Sequence, residues 1–374
     1  MHNKRIKILH TIRQGSFGGG ETYLYNLVTR LDKQVFEPLV LSFTEGAMVD
    51  KLRQAGIRTF VIPTLKPFNI FIYRQVLQLL KNEQIDLVHM HGTRAATNTL
   101  IPALWNGTKT IYTVHGWSFH TGNKPLITRG RIMAERFITS QTSQVVCGSQ
   151  ADLQQGLQYC PGGKYTLFYN SIDTHYFDPA LPVTDLCREF GFTQTDVVIT
   201  FMARLTAQKD PLTFIKAIPR VKNQFPQAKF LMIGEGELKN ECIQLAQILA
   251  VSDVLTFSEF RSDVKKILQL TDVFVLPSLW EVIPLGLLEA MSMEKACIAT
   301  AISGTTEAIT DGENGLLIDI QSPDQLADKM IQLLSDELLR RNLGKNARVK
   351  VIRQFDIRTL VEKNKELYLQ LATP

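Results

Sequence analysis

From end to end, the chain alternates short apolar segments of strand length with longer segments of helical periodicity. That rhythm restricts it to folds built from parallel β–α–β units. IKILHTI (6–12) is followed by a glycine cluster and the helical stretch ETYLYNLVTRL. PLVLSF, RTFVIP, DLVHMH, TIYTVH and QVVCGS come next, each separated by a helix-length segment. Nearly continuous apolar runs of this kind suit strands buried on both faces. At residues 170–185 the pattern lapses into NSIDTHYFDPALPVTD, polar and with two prolines, which reads as a linker. A second series then begins with VVITFMA (197–203), KFLMIG (229–234), VLTF (254–257), DVFVLPS (272–278) and ACIAT (296–300). Ser322 and Pro323 are predicted to be the N-cap and first residue of a late helix, and FDIRTLVEKNKELYLQL a terminal amphipathic one. At 374 residues, 45% of them hydrophobic, the chain suffices for two cores. The expectation is an α/β protein of two parallel-sheet domains, 1–175 and 176–355, with 356–374 as a helix of its own.

No stretch approaches the ~20 apolar residues of a spanning helix, and MHNKRIKILHTI reads as a strand rather than a leader. Five cysteines, Cys147, Cys160, Cys187, Cys242 and Cys297, are scattered without a close pair. Such scatter argues against a disulfide framework and a thiolate metal site, and fits a reducing cytoplasm. The net charge of +5 is uneven: through residue 180 there are 19 basic and 11 acidic residues, and afterwards 22 and 25. A basic first half suits an anionic partner such as a phosphorylated lipid or the inner face of a membrane, and no nucleic-acid-binding motif accompanies it.

Open parallel sheets bind ligands beyond the carboxyl ends of their strands. There the most informative segment is LPSLWEVIPLGLLEAMS (276–292), in which a strand ends near Ser278, Glu281 lies in the loop, and Pro284 can start a helix containing Glu289. Proline is tolerated at a first helical position, so the amides of Ile283, Leu285 and Gly286 are the candidate unpaired donors for a phosphate. A carboxylate beside a bound anion must face neutral hydroxyls, which assigns Glu281 to a sugar and Glu289 to a ribose. The plainer reading is two acids stabilised by a helix dipole. Upstream, in ARLTAQKD, Arg204 ends a strand and Lys209 follows five residues later. A fixed pair of cations stabilises a departing diphosphate without a metal, the alternative being two solvated surface residues.

In the first half, Gly18, Gly19 and Gly20 lie between a strand and a helix, either as a loop that closes on a ligand or as a tight turn. The run is not a dinucleotide fingerprint. His115 ends the strand TIYTVH, where it is placed either to orient a substrate or to serve structure. His89 and His91 share a strand face, but with no convincing third ligand no metal is expected. Residues 124–138 mix Lys124, Arg129, Arg131 and Arg136 with apolar positions, as a lipid-facing patch or as a solvated helix face.

Taken together, these motifs resemble those of glycosyltransferase family 4, retaining enzymes of the GT-B fold, over nearly the whole chain. The resemblance rests on EVIPLGLLEAMS with its Glu-x₇-Glu spacing, on ARLTAQKD, and on SGTTEAITDGENGLLID (303–319). GGGE (18–21), TVHG (113–116) and NSID (170–173) fit less specifically. It implies two facing Rossmann-like domains, the first for an acceptor and the second for a nucleotide-sugar donor, with the terminal helix crossing back onto the first. It also implies a UDP-sugar donor, retained configuration, no cofactor and no required metal, and a saccharide or lipid-linked acceptor. By position, Arg204 and Lys209 would hold the diphosphate, Glu281 the sugar and Glu289 the ribose. His115 would lie near the transferred sugar, and Phe260 and Arg261 would face the base. Val282 and Pro284 stand where many members carry glycine, so Val282 either narrows the sugar pocket or restricts its loop.

Two other classes share this architecture. A sugar-nucleotide epimerase is one, although no epimerase pattern matches the two glutamates; a phosphorylase would carry a pyridoxal-binding lysine in a much longer chain. A non-catalytic sugar-nucleotide-binding protein is the other, against which the four intact residues Arg204, Lys209, Glu281 and Glu289 speak.

Overall fold

The apolar runs do form parallel strands. The computed structural model describes residues 5–119, 125–181, 186–193 and 195–372. The chain divides into two units, residues 1–170 with 357–374, and residues 171–356. The first unit contains β1 (Ile6–Ile12), β2 (Phe36–Ser42), β3 (Arg58–Val61), β4 (Leu87–His91), β5 (Lys109–Val114), β6 (Gln144–Cys147) and β7 (Tyr165–Leu167). They form a parallel sheet in the order β3-β2-β1-β4-β5-β6-β7. The second contains β8 (Val198–Met202), β9 (Lys229–Ile233), β10 (Leu255–Ser258), β11 (Val273–Leu276), β12 (Ala296–Thr300) and β13 (Leu316–Ile318), in the order β10-β9-β8-β11-β12-β13. Both sheets are doubly wound, and each reverses strand order once, between β1 and β4 and between β8 and β11. The edge strands β7 and β13, three residues each, are too short for periodicity to separate from loop.

The linker expected at 170–185 is largely part of the second unit. Ile172 forms an isolated parallel bridge with Asp356, and Thr174 donates to the Asp356 carboxylate. The chain therefore passes between units at 170/171 and 356/357 rather than at 175 and 355. Ser322 is the N-cap and Pro323 the first residue of the helix Pro323–Ser335, as expected, although the Ser322 hydroxyl donates to the Ile320 carbonyl at 3.3 Å rather than capping through its side chain. All five cysteines are buried free thiols. Among the described residues no helix is long and apolar enough to cross a membrane.

The terminal helix Ile357–Ala372 belongs to the first unit. Its apolar face, Ile357, Leu360, Val361, Leu367 and Tyr368, packs with Ile8, Tyr23, Leu27, Phe36 and Leu87. Two polar contacts fix it in register: the Tyr368 hydroxyl lies 2.7 Å from His89 Nδ1, and Lys109 donates to the Leu371 carbonyl at 2.8 Å. Tyr368→Phe should destabilise the protein by about 1–3 kcal/mol, because it leaves a buried imidazole nitrogen without its partner. Chemical denaturation checks this, and an unchanged midpoint would remove the bond from the account.

Candidate functional site

The strongest constellation lies where the second sheet reverses its order. β8 and β11 are neighbours there, with Ile199 beside Val273 and Thr200 beside Phe274. The loops that follow them must leave side by side, at the place where doubly wound sheets collect ligands. After β8 the chain makes a single 3-10 turn, Ala207–Lys209, and enters the helix Pro211–Gln224. Asp210 caps that helix from a left-handed conformation (φ 46°), accepting from the Thr213 amide at 3.3 Å and from its hydroxyl at 2.6 Å. The cap fixes the direction of the preceding residue, Lys209.

The two loops are stitched together. The Leu279 amide donates to the Gln208 carbonyl at 2.8 Å, and the Gln208 side-chain amide to the Trp280 carbonyl at 2.9 Å. This stitching brings Lys209 onto Glu281, to which its ammonium donates. The pair is largely withdrawn from solvent, the two side chains being 15% and 7% exposed. Lys209 and Glu281, which the sequence offers as separate contacts to diphosphate and sugar, are thus each other's partner. Arg204 is exposed, and among the described residues its guanidinium has no partner.

The helix after β11 runs from Leu285 to Ser292, with Pro284 as N-cap rather than as first helical residue. Pro284 is extended (ψ 120°), and its carbonyl accepts from Leu287 and Leu288. Among the described residues the Leu285 and Gly286 amides have no acceptor, as the sequence suggested, whereas Ile283 is buried and engaged elsewhere in the chain. A β-carbon on Gly286 would meet nothing closer than 3.8 Å, the nearest atoms being the Met202 carbonyl oxygen and the Phe274 ring. The open helix start therefore stands beside the end of β8 with room above it. Glu289 follows in the same helix; no hydrogen bond reaches its carboxyl among the described residues, and burial pushes it up to about 7.

Gly304 was not singled out from the sequence. It lies in the helix Ser303–Ala308, and a β-carbon there would sit 1.6 Å from the Val282 carbonyl oxygen and 2.7 Å from that of Glu281. The Glu281–Val282 backbone rests directly on this glycine. Arg261, in the loop that the resemblance places facing a base, donates to Glu189 and, at 2.7–2.8 Å, to Asp263. These anions hold its guanidinium firmly protonated. Phe260 beside it is 71% exposed and free to stack.

In the first unit, Gly18 is the N-cap of the helix Gly19–Arg30 and is extended, and Gly19 faces open space. Gly20 is packed: a β-carbon there would come within 3.1 Å of the His115 ring. His115 lies just past the end of β5, partly exposed, with Tyr23 edge-on at 5.0 Å. Its Nε2 lies 3.2 Å from His91 Nδ1. Burial lowers its pKa to about 4. A third histidine, His10 of β1, stands in register with His89 on the neighbouring strand and places a nitrogen within 4.8 Å of those of His89 and His91. Three histidines on two non-consecutive strands become neighbours only once the strand order is known.

Of the basic patch predicted at 124–138, Lys124 lies outside the described residues. In the helix Pro125–Gln141, Arg131 and Arg136 donate at 2.6 Å to the Ser118 and Tyr159 carbonyls, which leaves Arg129 exposed. Leu126, Met133 and Phe137 lie at 81%, 70% and 41% exposure and share one face by helical spacing.

Two families match the chain, one over each half. Residues 17–176 match the family described as Glycosyltransferase Family 4, and residues 184–350 match Glycosyl transferases group 1. The UDP-Gal:alpha-D-GlcNAc-diphosphoundecaprenol alpha-1,3-galactosyltransferase of Escherichia coli is 28% identical, over 99% of this chain and 98% of its own. The putative glycosyltransferase EpsD of Bacillus subtilis (strain 168) is 31% identical over 81% of each. Among solved structures, Anabaena Alr3699/HepE in complex with UDP-glucose shares the fold at a TM-score of 0.87, with 21% identity over 98% of this chain and 100% of that one.

Proposed function

The chain belongs to glycosyltransferase family 4, and from that premise we propose that it moves a sugar from a UDP-sugar to a lipid-linked or saccharide acceptor with retained anomeric configuration and without a required metal. The observation that carries this reading is the junction of Arg204, Lys209 and the open start of the helix Leu285–Ser292 where β8 meets β11. A diphosphate there takes two cations and two free amides, which stabilise the negative charge that grows as the glycosyl–phosphate bond breaks. Lys209 exchanges Glu281 for a phosphate oxygen, and the released Glu281 carboxylate accepts from sugar hydroxyls. The acceptor oxygen forms its bond to the anomeric carbon on the face from which the phosphate departs, and its proton passes to the leaving phosphate oxygen. That route needs no enzyme nucleophile.

UDP as the carrier is supported by the E. coli relative, named for UDP-Gal, and by HepE, crystallised with UDP-glucose. A polyprenyl-diphosphate-linked acceptor is supported by the same relative and by the exposed apolar face of Pro125–Gln141 with Arg129 beside it, which suits cytoplasmic work at the inner face of a membrane. Co-sedimentation with anionic vesicles, reduced by Leu126→Glu with Met133→Glu, is the expected result; binding unaffected by these changes would remove the patch from the proposal.

Three readings test the function. Thermal stabilisation should be larger with UDP-sugars than with GDP- or ADP-sugars, turnover should persist in EDTA, and an α-linked donor should give an α-linked product by NMR. An inverted product would overturn the mechanism.

Glu289 makes nucleotide binding depend on pH. Ribose hydroxyls donate to its carboxylate, so binding favours the ionised form of a group whose pKa in the free protein is about 7. The nucleotide Kd should therefore fall about tenfold from pH 6 to pH 8, as the ionised fraction rises. Titration calorimetry should show this slope and its loss in Glu289→Gln. The sign for stability is opposite: the folded carboxyl holds its proton above the unfolded value of 4.5, so this group's contribution declines as pH rises from 4.5 to about 7.

A further inference from the structure

Three histidines form a chain that begins in the core and ends at partly exposed His115, just past the carboxyl end of β5. His10 Nδ1 lies 3.1 Å from His91 Nε2, and His91 Nδ1 lies 3.2 Å from His115 Nε2. The rings are nearly parallel along the chain, at 22° and 15°. At the inner end, His10 Nε2 is buried without a partner among the described residues. At the outer end, His115 Nδ1 has none among the described residues, and that ring is partly exposed.

A metal is the first alternative, since His10, His89 and His91 bring nitrogens within 4.8 Å of one another. The geometry opposes it. Both nitrogens of His89 are engaged, Nδ1 with the Tyr368 hydroxyl at 2.7 Å and Nε2 with the Thr113 hydroxyl at 2.6 Å. His89 and His91 are also stacked, with centroids 4.2 Å apart at 29°. Lone pairs lie in the ring plane, so stacked rings direct theirs alongside one another rather than towards a common centre.

Burial keeps the chain neutral: His10 is lowered to about 3, His91 well below its ordinary value, and His115 to about 4. A neutral imidazole has one N–H and one lone pair. Two contacts shared by three such rings therefore allow two arrangements only. In one, His10 Nδ1–H donates to His91, His91 Nδ1–H donates to His115, and His115 carries its proton outward on Nδ1. In the other, every proton is reversed, His115 Nδ1 is a bare lone pair, and His10 Nε2–H is an orphaned donor in the core. A buried N–H without an acceptor is the rarer and costlier defect, and an unused lone pair the milder one.

We propose that His10 and His91 are positioning residues that fix His115 as its Nδ1–H tautomer, so that His115 meets substrate as a hydrogen-bond donor to a sugar oxygen and not as a base. Its direction towards substrate rests on the function proposed above; the tautomer does not, and is measured without substrate.

Long-range ¹H–¹⁵N correlation spectra of the histidine-labelled full chain at pH 7 should show His115 protonated on Nδ1 and unprotonated on Nε2. His10→Asn places an amide donor where Nδ1 was and should preserve that state. His10→Leu removes the donor and should give a mixture of tautomers, with a severalfold fall in kcat and unchanged UDP affinity. His115 protonated on Nε2 in the native chain would overturn the proposal whatever the variants do. So would stoichiometric zinc that survives dialysis against EDTA, because the chain would then be a metal site.

Discussion

Arg204→Ala is expected to lower turnover by roughly 10²- to 10³-fold, the cost of removing one donor aimed at developing charge, with no change in thermal stability. Both halves of that result follow from the geometry. The side chain is exposed and has no partner among the described residues, so nothing in the folded chain depends on it. The contrast is with Lys209→Ala, which should lose turnover to a similar degree and also destabilise the protein. Removing Lys209 leaves the Glu281 carboxylate, whose side chain is 7% exposed, without its counter-charge, at a cost on the order of 3 kcal/mol. Steady-state kinetics beside denaturation curves separate the two. Equal stability losses would mean that Arg204 is structural; no loss in either would mean that the Lys209–Glu281 pair does not hold in solution.

The second large effect is expected at a residue that touches no substrate in the proposed mechanism. In Gly304→Ala the added carbon falls 1.6 Å from the Val282 carbonyl oxygen, well inside contact distance, and its neighbours there are backbone atoms that cannot rotate aside. The Glu281–Val282 segment has to shift. Misplacing a positioned group by about 1 Å costs on the order of 10²-fold in rate, and the strain about 1–3 kcal/mol of stability. Because the displaced segment holds the sugar-facing carboxylate and not the cations, kcat should fall while affinity for free UDP is kept. A variant with wild-type kcat would show that the Glu281 loop is not a fixed part of the site.

What the sequence made legible followed from its period. Runs such as IKILHTI and VVITFMA are strands because most of their positions are covered, and the carboxyl-end rule then points to Arg204, Lys209 and Glu281 without a structure. What stayed hidden depends on strand order. Nothing local in β8 or β11 announces that they are neighbours across the sequence between them, so in the sequence Lys209 and Glu281 stand as two separate ligand contacts. His10 is one of three polar residues in β1, beside Lys7 and Thr11, and nothing marks it until β1 is laid beside β4. Gly304 is one of 23 glycines, and only the approach of the Val282 carbonyl distinguishes it. The ion pairing of Arg261 is hidden for the same reason, since its anions include Glu189, which lies 72 residues away. Pro284 differed for a local reason, since its extended ψ makes it the cap and starts the helix one residue later.

The central claim is that a pyrophosphate is received where β8 and β11 separate. A crystal structure of the chain with UDP tests it directly. The expected result is a diphosphate within hydrogen-bond distance of Arg204, Lys209 and the amides of Leu285 and Gly286, with Lys209 drawn off Glu281. A diphosphate bound elsewhere, with Lys209 still on Glu281 and Arg204 turned to solvent, would contradict the account.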